Sequence, residues 1–158
     1  MRNFMKISKK VLPRILVTAV IGVFVSGNVQ SADQPTPEER AYKFRTSLFQ
    51  TFSWKFGSLV GAKKGGDEAA FAKHAGDLAH LSTLLEEGFQ IENSLPEGTA
   101  AKPEIWQDYD KFKDRAMNLN KMATALTETG AMAGFDPRDF GSKACGSCHR
   151  DFRIKDDE

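Results

Sequence analysis

The chain has 158 residues, with 22 Lys and Arg against 21 Asp and Glu, and only two cysteines. No basic stripe stands out, which argues against a nucleic-acid partner. A pair of cysteines can close at most one disulfide, so the chain is not a disulfide-dense scaffold.

The first segment is cationic: Arg2, Lys6, Lys9, Lys10 and Arg14. An apolar run follows over 15–25, and small and polar residues close it over 26–32. That order is the pattern of a secretory signal. A spanning helix needs about 20 apolar residues, and this run is shorter; a retained N-terminal anchor is the alternative. We therefore read 1–32 as a signal peptide and 33–158 as one domain exported to the periplasm, with no membrane attachment after cleavage. Val29-Gln30-Ser31 satisfies the small-residue rule for the cut, and cutting after Ala32 also fits. All charges of the segment are basic. Its loss leaves 17 Lys and Arg against 21 Asp and Glu, a formal net charge of −4.

Four helical segments follow. In the first, Thr36 is a cap, Pro37 suits the first helical position and Glu39 completes a capping box. Phe44, Leu48, Phe52, Phe56 and Leu59 recur at helical spacing, and Gly65-Gly66 ends the run. The second starts at Asp67 and runs to about Glu92, with Phe71, Leu78, Leu81 and Leu85 as its stripe. Pro96 and Gly98 mark 93–102 as a loop. The third runs from near Pro103 to Gly130. Its Ile105, Tyr109, Phe112, Ala116, Leu119, Ala123 and Leu126 alternate by four and three, a bundle seam. The fourth starts near Asp136-Pro137 and places Phe140, Ala144, Cys148 and Phe152 on one face. Gly141 and Gly146 weaken it, so its start is expected to be irregular. No segment alternates with period two. The fold class is all-α, an antiparallel up-down four-helix bundle, since short connections favour antiparallel neighbours. Helices of about 20 to 28 residues would each span about 30 to 40 Å.

Both cysteines lie in Cys145-Gly146-Ser147-Cys148-His149. Cys-x-x-Cys-His is the spacing of covalent haem attachment, with two thioethers from the cysteines and the histidine as iron ligand. On a helix, Cys145 and Cys148 are near in angle and His149 lies one turn after Cys145. The expected cofactor is one haem c per chain, held through Cys145 and Cys148, with His149 on the metal. Export and haem attachment agree, because that attachment takes place outside the cytoplasm. A disulfide would close too small a loop to restrain the unfolded chain much. A thioredoxin-like pair lacks its βαβ context. A zinc site would need four ligands, and only His74 and His80 remain as further histidine donors. For the sixth iron position, Met117, Met122, Met132 and His74 are the candidates; methionines at helical spacing fit core filling as well.

Beyond the haem motif, three matches carry a resemblance. They are Tyr42-Lys43-Phe44-Arg45 with Phe56-Gly57 downstream, Pro103-Glu104-Ile105-Trp106, and the haem motif followed by Phe152-Arg153. The chain resembles cytochrome c′, the class II c-type cytochromes, over nearly all of its mature part. The resemblance implies a left-twisted antiparallel four-helix bundle, often a homodimer through the first two helices. It implies that Arg45 meets a haem propionate, with Thr46 beside it as a further haem contact. It implies that Phe49 lies over the open distal face, and that Arg153 is the basic residue beside the proximal histidine. A guanidinium suits a carboxylate; a hydrocarbon over iron has no lone pair to coordinate it. The loop before Pro103 is expected to cover one edge of the site.

The expected function is therefore that of a non-enzymatic haem protein with a five-coordinate, His-ligated iron. It would bind neutral diatomic gases, NO and CO, or take part in one-electron transfer with a redox partner. The alternative is a low-spin, six-coordinate electron carrier of the same bundle. A peroxidase would need a distal acid–base group, and none is evident beside Phe49.

Overall fold

A computed structural model describes residues 34–155; the expected signal segment, 1–32, lies outside them. Helix α1 spans Pro37–Gly65. Its capping box is formed: Glu39 N donates to Thr36 Oγ1 at 3.2 Å, and Thr36 N donates to Glu39 Oε2 at 2.7 Å. Acidic Glu38 and Glu39 in the first turn and basic Lys63 and Lys64 in the last complement the helix dipole. Gly66 then turns the chain at φ 70, a left-handed geometry that suits glycine.

Helix α2 spans Glu68–Ser82, capped by the Asp67 carboxylate on Ala70 N at 2.9 Å. It ends well short of Glu92. At its last turn, Ser82 Oγ donates to Ala79 O and Thr83 Oγ1 donates to His80 O, so side-chain hydroxyls engage the terminal carbonyls. The chain then tightens into a 3-10 turn over Glu86–Phe89.

The expected third helix is divided. A short α3, Glu104–Gln107, stops at Asp108, whose backbone (φ −130, ψ 57) is not helical. Asp108 then caps α4, Tyr109–Ala125, by accepting from Lys111 N at 3.4 Å. Its side chain offers the backbone a turn in place of a continuous helix. Leu126 caps the end of α4, and left-handed Gly130 leads into a single turn, α5, Ala131–Gly134.

The last rod combines α6 (Pro137–Phe140), a π-helical turn over Gly141–Gly146 and α7 (Ser147–Phe152). Its irregularity falls where the two glycines led us to expect it. None of α2, α4 or this rod reaches the 20 residues expected of each helix; only α1, with 29, is long.

Four rods, α1, α2, α4 and α6–α7, make an antiparallel up-down four-helix bundle. α1 packs on α2, α2 on α4, and α4 on both the π turn and α7. The main core gathers Leu59, Phe71, Leu78, Leu119 and Phe140 from all four rods, each at most 8% exposed. Burying such a side chain stabilises the fold by about 1.5–3 kcal/mol. Phe44 departs from the expected stripe, being 39% exposed. A second cluster, Phe89, Ile105, Phe112 and Phe152, joins the 3-10 turn, α3, α4 and α7. Beside it, Lys102 N donates to Phe152 O at 3.0 Å and Ile154 N to Ala100 O at 2.8 Å. These bonds fasten the end of the 93–102 loop to the chain leaving α7. Among the described residues no helix is long and apolar enough to cross a membrane.

Candidate haem site

The rods leave between them a cavity of about 620 Å³, within the range of small-molecule sites. Its walls come from α1, α4, the last rod and the loop residues Gly98 to Ala101. The loop thus covers one edge of the cavity, as expected. Every residue expected at the site faces this space: Cys145, Cys148 and His149 from the last rod, Arg45, Thr46 and Phe49 from α1, and Arg153 just past α7.

The π turn brings Cys145 to the wall, and α7 brings Cys148 and His149. Both thiols are free and half-buried. Burial pushes Cys145 up from the usual thiol range and Cys148 up to about 11. A redox-active or metal-activated pair shows the opposite shift. Burial, with the Arg153 charge second, pushes the His149 imidazole down, so at neutral pH it is neutral, with a lone pair for a metal.

Phe49 faces His149 across the cavity. The ring centroids lie 6.4 Å apart at 63°. Phe49 also touches Phe52 and Phe89, which hold its ring in the cavity wall. Thr46 lines the wall while its Oγ1 donates to Tyr42 O at 2.8 Å. Arg153 also lines the cavity; its backbone pairs with Ala101 in an isolated bridge.

Arg45 is only 3% exposed, unlike the solvated helical charge its position suggests. Its Nη1 donates to Gly88 O at 3.2 Å and to Ser94 Oγ at 2.8 Å, and its Nη2 donates to Ser94 O. The guanidinium also stacks over the rings of Tyr42 and Phe89. Three of five N–H donors are thus engaged by the 3-10 turn and the loop after it, leaving two for another acceptor.

Met117, Met122, Met132 and His74 all lie away from the cavity wall. Met117 is exposed, and Met122 and Met132 pack against the main core. His74 Nδ1 stands 3.7 Å from the Asp77 carboxylate at the α1–α2 seam. Among the described residues, His149 is the one histidine on the cavity wall, and no methionine joins it.

Trp106, from the Pro103-Glu104-Ile105-Trp106 match, stands behind the wall residue Phe89, its Nε1 donating to Phe89 O at 2.8 Å and pinning the 3-10 turn. One charged wall residue escaped the sequence reading. Arg115 lines the cavity from α4, and its Nε is buried with no hydrogen-bond partner. The only signal for Arg115 was its place next to the seam residue Ala116. Nothing in the chain order links it to Asp151, the carboxylate it meets.

The cavity suits a porphyrin. Among the described residues, its charged lining is Arg45, Arg115 and Arg153, with no carboxylate, although the chain beyond residue 32 is acidic on balance. Such a lining fits a flat apolar ring bearing carboxylates. The rest of the wall is largely aromatic and aliphatic.

Residues 40–153 match the model of the cytochrome c′ family. The chain belongs to the cytochrome c′ family. It is 33% identical over 131 residues to a cytochrome c′ of Cereibacter sphaeroides, covering 74% of this chain and 85% of that one. Among solved structures, a nitric oxide complex of a variant of the Alcaligenes xylosoxidans cytochrome c′ matches with TM-score 0.60 and 29% identity, over 77% of this chain and 100% of that one. A carbon monoxide complex of another variant of that protein matches with the same TM-score, identity and coverage. Cytochromes c′ bind haem c covalently, and Cys145 and Cys148 are the pair that takes it in this chain.

Proposed function

We propose that the mature protein is a periplasmic, five-coordinate haem protein that binds neutral diatomic gases, NO and CO. The observation that carries this reading is the pairing of His149 with Phe49 across a wall that offers no second histidine and no methionine among the described residues. Haem iron, when bound, supplies a site for diatomic ligands and for one-electron exchange.

The chain's own residues would share the remaining work. Cys145 and Cys148 anchor the ring edge. His149, held neutral, supplies the metal ligand. Phe49 presents hydrocarbon on the far side, so no protein atom competes for the open position. It also offers no hydrogen bond, which disfavours dioxygen relative to NO and CO, and no acid–base group of the kind a peroxidase needs. Arg45, through its two uncommitted donors, and Arg153 hold the carboxylates, with Thr46 lining the same side. The NO and CO complexes of the Alcaligenes xylosoxidans variants support the choice of ligands.

The test is the absorption spectrum of the ferrous, haem-loaded protein with and without NO. A broad high-spin spectrum that changes on NO addition is expected. Sharp, split low-spin bands would instead make the protein a six-coordinate electron carrier.

A homodimer through α1 and α2 belongs to the same reading. Trp54 on α1, 74% exposed, supplies apolar surface for it. Sedimentation equilibrium at two loading concentrations decides between dimer and monomer.

A further inference from the structure

Arg115 is placed unlike the other two guanidiniums of the cavity. Arg45 donates to Gly88 O, Ser94 Oγ and Ser94 O, and Arg153 is exposed. Arg115 reaches in from α4. Its Nε is sealed from solvent with no acceptor, and its Nη2 donates to Asp151 Oδ2 at 3.0 Å. Asp151 lies two residues beyond His149 on α7 and also takes Lys111 Nζ at 3.3 Å. Two cations therefore share one carboxylate across the α4–α7 seam. The cluster keeps one unneutralised positive charge beside the segment that carries Cys148 and His149.

We infer that Arg115 sets the reduction midpoint of the haem iron through its charge, with Asp151 as the opposing charge that holds it in place. The inference rests on the haem reading above. One-electron reduction of ferric iron removes one positive charge from the site. A fixed neighbouring cation disfavours the ferric form more than the ferrous, and it does so more strongly where protein replaces water. Lys111, 43% exposed, is screened by solvent and contributes less.

The test is a mediated potentiometric titration of the haem-loaded protein and three variants, with haem content and ferrous spectrum recorded for each. Arg115→Gln is expected to lower the midpoint. Arg115→Lys, which keeps the charge, is expected to stay near the unsubstituted value. Asp151→Asn, which uncovers more positive charge, is expected to raise it. Should Arg115→Gln fail to load haem, the upward shift in Asp151→Asn decides alone. A midpoint unmoved in Arg115→Gln at full haem content overturns the inference, as does an equal fall in Arg115→Lys, which would assign the effect to shape. An unsubstituted protein that carries no haem would overturn the functional reading instead, and that outcome shows in the haem content before any midpoint is read.

Discussion

Gly88 lies so close to Arg45 that a Cβ on Gly88 would stand 2.9 Å from the Cβ of Arg45. The 3-10 turn and α1 meet there with no room for a methyl group, and Arg45 Nη1 donates to the Gly88 carbonyl at 3.2 Å. The contact sets the depth of Phe89, whose ring lies beneath the Arg45 guanidinium and against Phe49. A glycine on the second segment and an arginine on the first thus fix one wall of the cavity together.

Gly88→Ala is expected to destabilise the protein by about 1–3 kcal/mol, the usual cost of overpacking a filled site. The obstacle is the Cβ and backbone of Arg45, which cannot swing aside as a side-chain tip could. Urea denaturation of the haem-loaded protein measures it. An unchanged midpoint would mean the turn can shift off α1 at little cost.

Phe49→Ala is expected to speed CO association by about tenfold, equivalent to lowering the barrier by about 1.4 kcal/mol. The ring occupies the wall facing His149, and truncation opens that side. Flash photolysis of the ferrous CO complex reads the rate. An unaltered rate would remove Phe49 from the ligand path.

Asp77 joins α1 to α2 through Lys55 Nζ at 2.6 Å, with Lys73 Nζ at 3.1 Å on its own helix. The hydrogen bond from Lys55 is the largest influence holding its carboxyl below the usual range; burial opposes it, and Lys73 adds to the lowering. A depressed folded value stabilises above the unfolded value near 3.9, and the gain is lost as pH falls through the folded value. Asp77→Asn should therefore melt below the unsubstituted protein at neutral pH, and the gap should narrow below about pH 4. Thermal melts from pH 7 downward test this; parallel curves would show that the pair contributes nothing.

Asp108→Ala is expected to cost about 1 kcal/mol, the typical loss on removing an N-cap. The carboxylate caps α4 where the chain breaks from α3. Thermal unfolding measures the loss, and full stability would show that Lys111 N finds another acceptor.

The haem motif, the caps at Thr36 and Asp67 and the seam of α4 were legible in the chain because each is local. A cap needs only the next turn, and a thioether pair only its own spacing. The break at Asp108 was less legible, since the seam periodicity passes through Ile105 and Tyr109 without interruption. The early end of α2 was hidden for a similar reason: Leu85 continues the stripe, while hydroxyls at Ser82 and Thr83 close the helix.

The order of residues alone determined the rods, the attachment pair and the family, because periodicity, turn residues and motif spacing are properties of neighbours along the chain. Folding alone decided that Arg45 is buried against Gly88 and Ser94, that Phe49 looks across at His149, and that Arg115 shares Asp151 with Lys111. Those pairings join segments far apart in the chain. Their energies depend on burial and distance, which exist only once the rods have packed.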